Sequence, residues 1–273
     1  MTKTATAVRI PTARRGPAGT SQGTFRRDVA ALRGIAVALI VLFDAGVPGF
    51  GGGYAGADVL FVIFGYLIAT LLLSRRFGAQ RALPFVAGSV VGGALAWSVL
   101  HPAAWSDFSV ATRAWELGAG ALVALAGNDR HRIPYRLAGG LSWLGLVLIV
   151  TGVLVFRPGF PLTGIEAVLP AAGTVLVLAG RGEGLLGLPP GQWLGRIWWP
   201  LLCWHLPVLM AAGETHGRGV VVLLSLGLAL LTYAVVKRIA GPPALAVAGS
   251  VLVNAASLAT AWWAIPRFAH VPL

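Results

Sequence analysis

Arg33 and Asp44 stand eleven residues apart in the run DVAALRGIAVALIVLFDAG, a stretch that is otherwise mostly apolar. On a helix turning ~100° per residue, that spacing brings the second side chain back to within about 20° of the first, ~16 Å along the axis. Arg33 is expected to open the helix and Asp44 to lie near its far end, both on one face. Ionisable groups inside an apolar span are costly and mark a functional site by default. A guanidinium presents forked donors that suit a phosphate, and a carboxylate in such a setting can serve as a general base. Each residue also has a plainer reading, Arg33 as a cytoplasmic-side anchor and Asp44 as an interfacial carboxylate at a helix end.

Four more residues could contribute. Asp58 opens the next apolar run, where a carboxylate favours the positive end of the helix dipole. Arg113 and Glu116 are three apart and can pair on one helix face, an arrangement that is more often architectural than catalytic. His205 sits inside a later apolar run and is either an acid–base group or a hydrogen-bonded histidine between helices. With the topology derived below, these groups are expected to gather toward the same outer half as Asp44. Gly51, Gly52 and Gly53 form a loop that allows close approach or simply turns the chain. His101, His131, His216 and His270 are scattered, and no phosphate-binding glycine loop or metal-spaced His/Cys cluster occurs, so no metal is expected.

The elements that must carry these residues are membrane spans. Apolar residues make up 57% of the chain and charged residues 11%, with a mean hydropathy of +0.80, far from the ~25% charged composition of a soluble domain. The fold expected is an all-α, polytopic transmembrane helical bundle of about nine spans, centred near 31–48, 55–73, 82–100, 114–127, 137–156, 165–180, 193–212, 219–236 and 243–265. The net charge of +12 resides between apolar runs rather than along a groove, which argues for topology signals and against nucleic acid. With the N-terminus inside, only Arg113, Arg157, Arg218 and Arg267 fall on the outer side, as the positive-inside rule requires, and the C-terminus then lies outside. Cys203 is the sole cysteine, so no intramolecular disulfide is possible.

Residues 1–28 lack apolar periodicity and are expected to form a disordered basic cytoplasmic tail. Arg26-Arg27 before an apolar run also fits a twin-arginine signal, a reading disfavoured by Arg33 and by the further spans. Residues 29–240 read as one membrane domain and 241–273 as an extra C-terminal span.

The segment DVAALRGIAVALIVLFDAGVPGFGGGYAGADVLFVIFGYLIATLLL closely resembles the opening of the integral-membrane acyltransferase-3 family, whose members O-acylate cell-surface sugars. DFSVATRAWELGAGALVALAG, LSWLGLVLIVTGVLVF, AVLPAAGTVLVLAG, GRIWWPLLCWHLPVLM and LLTYAVVKRIAG resemble later family spans. That resemblance implies acyl transfer from cytoplasmic acyl-coenzyme A to a hydroxyl of a cell-surface carbohydrate or glycolipid in a bacterial plasma membrane. A histidine then acts as base or acyl carrier and an arginine lies near the donor. Arg33 matches the arginine, Asp44 occupies the position of the first-span histidine, Asp58 matches the aspartate of a Val-Asp-Val-Phe-Phe string, and His205 matches a Trp-His-Trp-Pro motif. Asp58, Arg113 and Glu116 are further candidates for substrate binding.

The departures from the family are polar ones. Phe64 replaces a serine before Gly65, Trp198 to Leu202 replace a Ser-Tyr-Ser-Leu-Tyr stretch, and Lys237, Arg238 and Ile239 replace Glu-Arg-Pro. Between Arg81 and Asp107 the chain is too short for the family's spans there, and a Trp-Ser-Leu-Ala-Val-Glu-Glu motif is missing, so an internal pair of spans is expected to be lost. Three readings follow: an acyltransferase with acyl-coenzyme A as donor, a catalytically inactive relative acting as an interaction partner, and a small transporter. The charged faces uncovered by the lost pair are expected to turn inward or to be covered by self-association.

Overall fold

The computed structural model describes residues 26–74, 83–100, 110–127, 134–155, 167–182, 184–212 and 217–239. These form α1 (Arg27–Asp44), α2 (Ala55–Ser74), α3 (Leu83–Leu100), α4 (Val110–Leu125), α5 (Tyr135–Val155), α6 (Val168–Gly180), α7 (Pro189–Ala212) and α8 (Arg218–Ile239), with a 3-10 turn at Leu185–Gly187 before α7. No strand occurs among the described residues. Every helix overlaps one of the first eight expected apolar runs, with starts that differ by up to four residues, and the ninth, 243–265, lies outside the described residues.

By length and composition, Ala55–Ser74, Leu137–Val155 and Arg218–Arg238 are able to cross a membrane, and Pro84–Ala94 and Val168–Gly180 are shorter apolar helices. Helix α1 is less apolar because Arg27, Asp28, Arg33 and Asp44 interrupt it. Large apolar side chains face outward, among them Phe85, Leu144, Val147, Leu154, Leu223 and Leu231. The described residues are all-helical, with the apolar surface of a membrane-associated protein.

One boundary differs from expectation in a way that matters. Helix α1 starts at Arg27, six residues before Arg33, and Asp44 is its last helical residue. Asp28 in the first turn complements the helix dipole. Gly46 and Gly49, with φ of 66° and 88°, turn the chain out of the helix on either side of Pro48.

Close helix crossings organise the bundle. Gly34 on α1 meets the backbone of Leu194 and Gly195 on α7, while Gly195 faces the carbonyl of Ala30. Gly65 on α2 packs on the carbonyl of Leu117, and Gly120 on α4 packs on that of Val62. Gly145 on α5 and Gly173 on α6 face each other's carbonyls. A side chain at any of these places would collide with backbone, and in lipid such close packing takes over much of the role that hydrophobic burial plays in water.

These contacts also fix helix directions. Gly191 meets Ala31 and Gly195 meets Ala30 and Gly34 near the starts of both helices, whereas Asp44 and His205 meet further on, so α1 and α7 run parallel. Asp58 and Arg113, near the starts of α2 and α4, touch, so these two helices also run parallel. Gly56 packs on Ala36 and Gly53 on Leu39, which makes α1 and α2 an antiparallel pair. Residues 45–54 therefore fold back beside the end of α1, and α2 begins alongside the middle of its neighbour.

Candidate functional site

At the end of α1 the carboxylate of Asp44 lies 3.3 Å, Oδ2 to Nε2, from His205 on α7. His205 Nδ1 is 2.7 Å from the carbonyl oxygen of Leu202, one turn back. A carbonyl only accepts, so Nδ1 carries a proton and donates it. In a neutral imidazole Nε2 would then present a lone pair to a carboxylate oxygen, so a proton must lie on one of the two groups for the contact to be attractive. The side chain of Asp44 is 26% exposed and that of His205 6%. The histidine is thus engaged at both nitrogens and enclosed, and the carboxylate is the member of the pair that can reach another molecule.

The position of His205 follows from how α7 is built. Pro200 and Pro207 lie inside the helix on either side of it, and each removes one helical N–H donor and bends the axis. Trp204 Nε1 donates to Thr232 Oγ1 at 2.9 Å, which ties this turn of α7 to α8. Val208 and Ala212 pack with Ala45 and Val221 just beyond it.

Arg33 occupies the other end of the same face. Its guanidinium carbon lies 5.1 Å from the ring centroid of Trp198, a cation–π contact. Trp198 is backed by Phe64 at 6.0 Å and by Trp199 at 5.2 Å, centroid to centroid. Arg33 is half-buried, and its Nε has no hydrogen-bond partner. Phe64, Trp198 and Trp199 are three of the positions where the sequence departs from the resembling family, and the fold gathers them into one aromatic shelf beside Arg33. The shared face predicted from the eleven-residue spacing is thus the face toward α7, with Trp198 and His205 as its two partners.

Asp58, Arg113 and Glu116 form a separate group. Arg113 Nη1 is in contact with Asp58 Oδ1 and lies 3.2 Å from Glu116 Oε1. The helical pair expected between Arg113 and Glu116 is therefore present, with Asp58 added from α2. Tyr66 meets Arg26 and Gly56 meets Ala36, so Asp58 lies level with about Gly34, roughly 15 Å down the axis from Asp44 at a rise of 1.5 Å per residue. The expectation that all these groups share the outer half with Asp44 is corrected here. Because the chain folds back through residues 45–54, Asp58 is lowered to the depth of Arg33. Arg113 and Glu116 face inward rather than toward lipid.

A third group lies beyond what the sequence led us to expect. Arg26 binds Asp28 in a two-point ion pair, donates from Nη1 to Tyr66 Oη at 2.8 Å and from Nη2 to the Leu178 carbonyl at 2.9 Å. Gln192 Nε2 donates to the carbonyls of Arg27 and Leu186 at 2.8 and 2.6 Å. This clasp joins the starts of α1 and α7 to α2 and α6. The one legible signal for it is an acid, Asp28, standing in the first turn of a helix directly after two arginines.

No family model matches the chain, and no solved structure matches it. Over 51 residues it is 47% identical to a protein of Komagataeibacter xylinus named as the putative membrane-bound transacylase BcsY, a match covering 19% of this chain and 13% of that protein. Over that stretch the chain is similar to a membrane acyltransferase-like protein.

Proposed function

We propose that this protein is a membrane acyltransferase that works from an aspartate–histidine pair, moving an acyl group such as acetyl from acyl-coenzyme A to a hydroxyl of a cell-surface carbohydrate or glycolipid. The observation that carries the reading is the contact of Asp44 with His205. Asp44 stands where the family has its first-span histidine, His205 on α7 is the imidazole it meets, and the carboxylate takes the more exposed place. Asp44 accepts the proton of the acceptor hydroxyl as its oxygen attacks the thioester carbon, and His205 holds and orients the carboxylate from behind. Arg33 on its aromatic shelf takes a phosphate of the donor. The ~16 Å between Arg33 and Asp44 along the helix compares with the length of an extended pantetheine arm.

The proposed setting is a bacterial cytoplasmic membrane, with nine spans, the N-terminus inside and the acceptor reached from outside. Similarity to a membrane-bound transacylase and the apolar surface of the helices support that setting. The test is acyl transfer from labelled acyl-coenzyme A to membrane glycan by the purified, reconstituted protein. Asp44→Asn and His205→Ala should each lower the rate by about 10²–10⁴-fold, the usual contribution of acid–base catalysis. The replacement of polar family positions by Phe64, Trp198 and Trp199 favours a second reading, an inactive relative that serves as an interaction partner. Absence of transfer by the unaltered protein would select it.

A further inference from the structure

The group formed by Asp58, Arg113 and Glu116 takes no part in the chemistry described above, yet it is the most deeply enclosed charge in the described bundle. The three residues are 1%, 5% and 0% exposed. Glu116 Oε1 faces Arg113, while Glu116 Oε2 is buried without a hydrogen-bond partner. Helix α4 packs against α2, α3 and α6, and α2 packs also against α1 and α5. Asp58 is the only charged residue of α2, and α3 and α6 contain none. On α1, Asp28 is paired with Arg26, Arg33 lies on Trp198 and Asp44 meets His205. On α5 the ionisable residues are Tyr135 and Arg136, in its first turn and at the far end from the contact of Val153 with Gly52. Among the described residues two carboxylates thus share one guanidinium, leaving one negative charge in excess. An uncompensated buried charge is so costly that the group takes up a counter-charge instead.

We propose that the Asp58–Arg113–Glu116 cluster is a proton-binding site that holds one proton on Glu116 and serves as the mid-bundle station for the proton displaced by acyl transfer. A metal cation fits less well, because no three side chains of His, Cys, Asp and Glu converge among the described residues. The second half of the inference rests on the acyl-transfer reading and on its sidedness. In that reaction the O–H bond of the acceptor breaks, its oxygen forms the ester bond, the C–S bond of the thioester breaks, and the departing thiolate takes a proton. Nothing is oxidised or reduced. When the hydroxyl is supplied outside and the thiol leaves inside, one proton must move inward for each ester formed. Asp44 collects it at the outer end. The cluster lies roughly 15 Å further in, ten residues along α1, between Asp44 and the clasp around Arg26.

The test is infrared spectroscopy of the full-length protein in proteoliposomes, combined with a pH-sensitive dye in the lumen and labelled acyl-coenzyme A. The wild type should show a protonated-carboxyl C=O band that moves on deuteration. Glu116→Gln should abolish it and Asp44→Asn should keep it. Asp58→Asn is the discriminating variant: Glu116 stays, but the excess charge is gone, so the band should disappear while the protein remains folded by its elution profile. Reconstituted acyl transfer should carry one proton inward per ester, and Glu116→Gln and Asp58→Asn should slow it at least tenfold. A missing band in the wild type, a band that survives Asp58→Asn, or a band removed by sodium at constant pH would overturn the site. Transfer without proton movement would overturn its role in turnover. No transfer by the wild type would sink the acyl-transfer reading alone, because the infrared band decides the proton site whether or not the protein turns over.

Discussion

The crossing of α1 and α7 supports a prediction whose size can be worked out from the structure. A Cβ placed on Gly34 would lie 2.5 Å from Gly195 N and from the carbonyl carbon of Leu194, where ordinary contact starts near 3.4 Å. Both obstacles are backbone, so Gly34→Ala must push the helices apart by about 0.9 Å, at the about 1–3 kcal/mol typical of overpacking. The same seam holds Asp44 and His205 at 3.3 Å. If the separation carries up the helices, that contact passes beyond the ~3.5 Å reach of a hydrogen bond. The assay is a double-mutant cycle of Gly34→Ala with His205→Ala, read by reversible unfolding in mixed micelles. A hydrogen bond to a charged group contributes about 1.5–3 kcal/mol, so His205→Ala should cost at least ~1 kcal/mol less in the Gly34→Ala background. Sites this far apart normally add to within about 0.5 kcal/mol. Additivity at that level would show that the pair does not depend on the seam, and the reasoning would fail.

Three other outcomes are expected. Arg113→Met should destabilise the fold by about 3–5 kcal/mol by stranding the buried Asp58 carboxylate beside the protonated Glu116, and adding Asp58→Asn should recover a measurable part of that loss in the same unfolding assay. Tyr66→Phe removes the hydroxyl that receives Arg26 and should cost about 1 kcal/mol. It should also speed amide exchange at the start of α1, seen by mass spectrometry. In intact cells, single cysteines in 128–136 should be protected from an impermeant thiol reagent, and those in 101–112 should react. Labelling of both from one side would refute the nine-span arrangement.

The helix positions are legible in the sequence because apolar runs of span length leave few alternatives, and the eleven-residue spacing of Arg33 and Asp44 leads to the correct shared face because helical geometry is local. The partners of that face are not legible. Trp198 and His205 arrive on a helix more than 150 residues later, and no local pattern states that α7 runs parallel to α1. The depth of Asp58 escapes for a related reason. Its place at the start of an apolar run is a statement about the chain, whereas its level in the bundle is set by how Gly53 and Gly56 let residues 45–54 fold back onto α1. The clasp around Arg26 stays hidden because basic residues ahead of a first span are ordinarily topology signals. Only the tertiary contacts with Tyr66 and Leu178 distinguish this one.

The parallel pairing of α1 with α7 also sets an order of events during synthesis. Arg33 and Asp44 reach the membrane with the first helix, but Trp198 and His205 follow only after some 160 further residues, roughly 8–30 s later at 5–20 residues per second. During that interval α1 has α2 as a neighbour, with Asp28 neutralised by the adjacent Arg26, while Arg33 and Asp44 await their partners. Nascent chains arrested before α7 should therefore remain associated with the insertion machinery longer than those arrested just after it.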